Sequence, residues 1–182
     1  MPDRLPTFRT PRLVLRQRSM DDLEACMSMD RDPEVTRFLP GPWNDPIKHR
    51  AFVEERIGYA YPSGMGYWAI TTPEGFVGWI LLTPLDLYGP EIEIGWRLIR
   101  AAWGRGYATE AARPVLDHAL NTLGLSEVIA DIDPANTASI NVAHKLGFRP
   151  EKSVPFHGRI VIRYVASGDR EHLHQGPLLS PV

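Results

Sequence analysis

The sequence predicts a single α/β domain, of the α+β kind in which helices flank a central mixed sheet. Three observations predict it. Seven short runs carry the alternating or β-branched pattern of strands. Capped helical patterns separate the first of these runs from the second, the fourth from the fifth and the fifth from the sixth. No repeat and no low-complexity linker divides the 182 residues, a length that suits one domain with a sizeable core.

The elements follow in order. Arg12–Arg16 (RLVLR) alternates and reads as the first strand. Ser19 is a candidate N-cap for a helix over Asp21–Met29, with acids in its first turn. Asp32-Pro33 opens a second helix to Leu39, and Pro40-Gly41-Pro42 stops it. Pro46 opens a longer helix over Ile47–Tyr61. Tyr67–Thr72 and Phe76–Thr83 read as a hairpin around Pro73-Glu74-Gly75. Glu91–Leu98 is the fourth strand, and a helix over Gly104–Thr122 follows it. Ser126–Ile132 is the fifth strand, so 91–132 should form a right-handed parallel crossover. Thr137–Leu146 is a helix closed by Gly147, and strands near Phe148–Val154 and Arg159–Ala166 end the domain. The domain is expected over 7–166, with a C-terminal tail over 167–182.

Composition narrows the function classes. The net charge of −2 gives no support to a nucleic-acid partner. The single cysteine, Cys26, permits neither an intrachain disulfide nor a cysteine zinc site. The six histidines show no ligand spacing, so no metal is expected. No stretch approaches the ~18 apolar residues of a membrane span, and Met1–Thr10 has no signal-peptide core. No membrane partner is expected, and the expected location is cytoplasmic.

The segment that carries chemistry is Trp103-Gly104-Arg105-Gly106-Tyr107-Ala108. It lies between a strand and a long helix. Its glycines let the backbone turn sharply and approach a ligand. The unpaired N–H groups of the helix start can hold a pyrophosphate, and Arg105 can add a charged contact. It ends without Gly-Lys-Ser/Thr, which excludes a nucleotide-hydrolysing P-loop. Thr109 stands where a dinucleotide fingerprint needs its third glycine. Alone, the segment reads equally as a phosphate cradle or as a glycine-rich helix start.

Trp103–Ala112 (WGRGYATEAA) resembles the acyl-CoA motif of the GNAT acetyltransferase superfamily. The resemblance is closest to the RimJ/RimL-like branch, which acetylates protein N-termini and small amines. Further matches fall in order. Thr10–Arg16 is similar to that branch's opening strand, and Met20–Leu23 with Asp32–Leu39 to its first helices. Glu93-Ile94-Gly95-Trp96 resembles its fourth strand, and Asn136–Phe148 its second CoA-contacting helix. One departure is Trp103, where the loop often begins with Gln or Arg, so one polar phosphate contact is lost.

The resemblance implies a seven-stranded, mostly antiparallel sheet whose parallel fourth and fifth strands splay apart. It implies acetyl-CoA as co-substrate, with the pyrophosphate on Trp103, Gly104, Arg105, Gly106, Tyr107 and Ala108. The pantetheine amides would pair with strand backbone at Trp96, Arg97, Leu98 and Ile99. Asn136 would contact pantetheine, or cap its helix, or both. Ser139 would lie near the sulfur and protonate the leaving thiolate; helix capping is its other reading. Glu93 would face the amine as general base, with Glu91, the alternative base and a candidate acceptor contact, on the same face raising its pKa by like charge. The other reading of the two acids is a solvent-facing polar strand face. Trp43, in a loop, is the candidate acceptor contact. The expected reaction is direct attack of a primary amine on acetyl-CoA in a ternary complex. The amine is a protein N-terminal α-amine or a small molecule. A non-catalytic acyl-CoA sensor and an enzyme using another acyl-CoA are the alternatives. Relatives often dimerise through the late strands, so a homodimer is expected.

Overall fold

The structure is a computed structural model, and it describes residues 5–168. Two short strands open the chain, β1 (Phe8–Arg9) and β2 (Val14–Gln17). Ser19 then forms a capping box: its hydroxyl accepts from Asp21 N, and Asp22 accepts from Ser19 N at 2.9 Å. Arg16 grips the same Asp22 carboxylate with two bonds of 2.8 and 2.6 Å. After one 3₁₀ turn, α1 runs Leu23–Asp30. Helix α2 (Pro33–Thr36) is a single turn capped by Asp32, shorter than the expected span to Leu39. Asp45 caps α3 (Pro46–Gly58), accepting from Ile47 N and Lys48 N at 3.1 Å.

The hairpin follows as β3 (Gly66–Thr72) and β4 (Gly75–Pro84), and then β5 (Ile92–Leu98). Helix α4 (Tyr107–Asp117) begins three residues later than expected and continues as a π turn over His118–Thr122. The chain closes with β6 (Glu127–Ile132), α5 (Thr137–Lys145), β7 (Arg149–Phe156) and β8 (Arg159–Ser167). Residues 169–182, nearly all of the expected tail, lie outside the described residues.

Among the described residues the sheet has eight strands in the order β1-β2-β3-β4-β5-β6-β8-β7, one more than expected. The addition is β1, which pairs Phe8 with Leu15 and Arg9 with Val14. Among these strands the parallel contact is between β5 and β6, and it holds a single register pair, Glu93 with Ile129. On its other edge β5 pairs with β4 from Pro84↔Ile92 to Gly78↔Leu98. Beyond Glu93, therefore, β5 keeps one neighbour and leaves the other. This is the expected splay.

Each sheet face buries its own core. Ile70, Ile80, Ile94, Val128 and Ala130 pack under α4 and α5 with Val115 and Ala143. Tyr67 and Trp79 pack under α1 and α3 with Leu23, Met27 and Val53. Cys26 lies in this second core, and burial pushes its thiol up to about 11. That thiol stays protonated and is no nucleophile near neutral pH. Among the described residues, no helix is long and apolar enough to cross a membrane.

Candidate active site

Strand alternation divides the site between the two faces of β5. Ile92, Ile94, Trp96 and Leu98 join the core under α4 and α5. Glu93, Gly95 and Arg97 therefore face the α1–α3 side. The backbone divides likewise. Ile99 N donates to Val77 O at 3.0 Å, so Ile99 and, by alternation, Arg97 turn their backbone groups toward β4. Trp96 and Leu98 turn theirs into the splay. Of the four residues expected to pair with an extended ligand, Trp96 and Leu98 present backbone there; Arg97 and Ile99 do not.

The glycine loop has the geometry of an anion cradle. Gly104 and Gly106 have φ of +71° and +78°, a region that side-chain-bearing residues rarely adopt. Gly106 is the N-cap of α4 and offers no side chain, so the first N–H groups of the helix, from Tyr107 and Ala108 on, remain open. Trp103 does not contribute its indole N–H to that opening, because it donates to Leu98 O at 3.0 Å. Trp103 thereby pins the loop to the end of β5.

The loop is held from outside by residues that sequence reasoning gave no role. Glu110, in the first turn of α4, accepts from Thr10 Oγ1 at 2.6 Å, Arg12 N at 3.1 Å and Arg12 Nε at 2.7 Å. Arg12 also donates to the Arg105 carbonyl at 2.9 Å and stacks 4.7 Å from the Tyr107 ring centroid. The carboxylate shares the helix start with the dipole's positive end. No local signal reveals this latch, because its hydrogen-bond partners lie 93 or more residues apart.

Across the splay, Asn136 caps α5 by accepting from Ser139 N at 3.1 Å. Asn136, not Ser139, is the capping residue. Ser139 Oγ instead meets the Trp96 indole N–H at 3.2 Å.

On the other face, Glu93 is partly buried where β5 and β6 part. Burial, then the like charges of Asp131 and Asp86, push its carboxyl up to about 8, against the opposing pull of Arg163. Glu91 does not act as its like-charge partner. It precedes β5, and a hydrogen bond from its own backbone and then Arg163, at 3.1 Å, hold its carboxyl below the usual range. Arg163 also binds Asp131 through two bonds of 2.9 and 2.8 Å. Glu93 thus carries a carboxyl whose protonation changes near neutral pH.

Arg97 closes the far end of that face. It donates to Asp30 at 2.6 Å, and Asp30 also meets His49 Nε2 at 3.2 Å. Both partners are buried, Asp30 to 3% and His49 to 1% exposure. The guanidinium lies 5.0 Å from the Trp43 ring and 4.8 Å from Trp79. Trp43, in the turn before α3, is partly buried against that helix, and its N–H is bonded to Leu39 O at 3.0 Å. Its ring packs edge-on against His49 and Phe52. Among the described residues no three His, Cys, Asp or Glu side chains converge as metal ligands would.

A glycine loop with open helix N–H groups, an adjacent half-paired strand and a carboxyl raised toward neutrality meet at one place in an α/β domain. The acetyltransferase (GNAT) domain model matches residues 12–149, and the chain belongs to that family. The chain is 28% identical over 150 residues to the uncharacterized N-acetyltransferase p20 of Bacillus licheniformis, covering 81% of this chain and 84% of that one. It is 32% identical over 145 residues to the FsC-acetyl coenzyme A-N(2)-transacetylase of Aspergillus fumigatus, covering 74% and 61%. The crystal structure of an acetyltransferase from Agrobacterium tumefaciens str. C58 superposes with a TM-score of 0.77 at 30% identity, covering 89% of this chain and 94% of that one.

Proposed function

We propose that this protein transfers the acetyl group of acetyl-CoA to a primary amine by direct attack in a ternary complex. The observation that carries the proposal is Glu93. A carboxyl pushed up to about 8 sits where the strands part, on the face opposite the cofactor-side core. Such a group is a base matched to its working pH. A free α-amine ionises at about 7.7–8.0 and a lysine at about 10.4. Glu93 is therefore suited to an N-terminal or other weakly basic amine, as in the RimJ/RimL-like branch.

In the proposed reaction CoA enters the splay. Its pyrophosphate rests on the N–H groups of Gly106, Tyr107 and Ala108, with Arg105 alongside. Its pantetheine pairs with the backbone of Trp96 and the N–H of Leu98, whose carbonyl Trp103 holds, and Asn136 contacts it from α5. The amine lone pair attacks the thioester carbon, and Glu93 takes the amine proton. A backbone N–H of β5 stabilises the oxyanion. The C–S bond then breaks, sulfur keeps its electron pair, and Ser139 supplies the proton it takes up. Solvent removes the proton from Glu93 and restores that of Ser139. The name of the Aspergillus relative supports acetyl-CoA as donor. Trp43 and Glu91 border the acceptor side. We place the domain at 7–166, in the cytoplasm and as a homodimer; sedimentation tests the dimer.

The test is thiol release from acetyl-CoA with N-terminal peptides, amino acids and polyamines. Turnover with one amine class supports the proposal. Acetyl-CoA binding without thiol release from any amine would make the protein an acyl-CoA sensor. Faster release from succinyl-CoA would make it a different acyltransferase.

A further inference from the structure

We infer that Trp96 is a positioning residue that fixes the direction in which the Ser139 hydroxyl donates. The inference rests on the proposed role of Ser139 and deepens it. The observation is one hydrogen bond across the splay, from the Trp96 indole Nε1 to Ser139 Oγ at 3.2 Å.

An indole N–H only donates, whereas a hydroxyl both donates and accepts. In this pair Ser139 Oγ must therefore be the acceptor. Its own proton cannot point at Trp96 and is left to another partner. The rest of Ser139 is constrained as well. Its backbone N–H is bonded to the Asn136 cap, which holds it in the first turn of α5. The hydroxyl is thus the one part of Ser139 free to turn, and the indole removes the orientations that would donate toward β5.

Trp96 occupies the right place to do this. It lies three positions past Glu93, the last point at which β5 touches β6. Its ring packs partly against the core under α4 and α5, on the face opposite Glu93. The strand that turns Glu93 toward the amine thereby turns the indole toward the leaving group. A hydrogen bond accepted by Ser139 also polarises its O–H and makes it a better donor. When the C–S bond breaks and sulfur keeps the electron pair, the oriented hydroxyl donates to sulfur and is reprotonated from solvent. Trp96 exchanges no proton itself.

The test is a double-mutant cycle on kcat with acetyl-CoA and one accepted amine. Trp96→Phe keeps an aromatic ring and removes the N–H. It is expected to lower kcat about five-fold, the worth of one hydrogen bond, with the amine KM unchanged. In a Ser139→Ala background the same substitution is expected to change kcat by less than about two-fold. An equal loss in both backgrounds would overturn the inference, because Trp96 would then act by packing. An unchanged kcat for Trp96→Phe alone would also overturn it. If Ser139→Ala by itself keeps full kcat, the role of Ser139 fails first, and the inference with it. Should Trp96→Phe fold poorly by its melting curve, benzothienylalanine at position 96 replaces the N–H with sulfur at nearly the same size. The same two backgrounds then decide.

Discussion

The two faces of β5 are organised by opposite means. On the cofactor side the loop is shaped from outside, by charges near the surface. Thr10 and Arg12 hold Glu110, Arg12 holds the Arg105 carbonyl, and Trp103 pins the loop to Leu98. On the acceptor side the charges are withdrawn from water. Asp30 is enclosed by His49 and Arg97, Asp131 is gripped by Arg163, and Glu93 is left without a cation of its own. Satisfied charges make a rigid cradle, while Glu93, with no ion pair of its own, carries the raised carboxyl proposed as the base. The same strand supports both because successive side chains point to opposite faces.

This contrast can be broken at each face. The largest effect is expected from Glu93→Gln, which should lower kcat/KM at pH 8 by about 10²–10⁴-fold and leave the acetyl-CoA KM within about two-fold. Steady-state kinetics check it. A loss expressed in the acetyl-CoA KM instead would move Glu93 to the cofactor side.

Arg12→Gln should do the reverse. Losing the charged bonds to Glu110 and the bond to Arg105 O should raise the acetyl-CoA KM about ten-fold, with kcat nearly unchanged. Isothermal titration with CoA gives the same comparison without turnover. Asn136→Ala should raise the CoA dissociation constant about three- to five-fold and, through loss of its cap, destabilise the fold by about 1 kcal/mol. Unchanged CoA binding with a lowered melting temperature would leave Asn136 as a cap alone.

Asp131→Asn is a finer probe of the acceptor face. Asp131 raises the Glu93 carboxyl and Arg163 lowers it. Removing the carboxylate charge also frees Arg163, so both effects favour ionised Glu93. The acid limb of kcat/KM should move to lower pH by about half a unit to one unit. A shift upward would remove Asp131 from the neighbourhood of the base.

Much of this architecture was legible because it rests on local signals. The Ser19 cap, the Gly147 stop, the 73–75 turn and the glycine pattern at 104 and 106 each act within a few residues. The missing strand, Phe8–Arg9, is two residues long and exists only through its pairing with β2. The partner of Glu93 was misassigned for a related reason. Glu91 is near it in sequence, but β5 begins at Ile92, while Asp131 arrives on the neighbouring strand. The Arg12–Glu110 latch and the Arg97–Asp30 pair join residues 98 and 67 positions apart, which only the folded sheet brings together.

The central claim, that Glu93 is the base, is tested most directly by the pH dependence of kcat/KM. Wild type and Glu93→Gln are compared from pH 6 to 9.5 with acetyl-CoA and one acceptor. Glu93 must be ionised to accept a proton, so wild-type activity is expected to rise through a limb near the carboxyl's value of about 8. That limb should vanish in Glu93→Gln, leaving at most the limb of the acceptor's own ammonium group. A variant that keeps the full wild-type profile and rate would contradict the account.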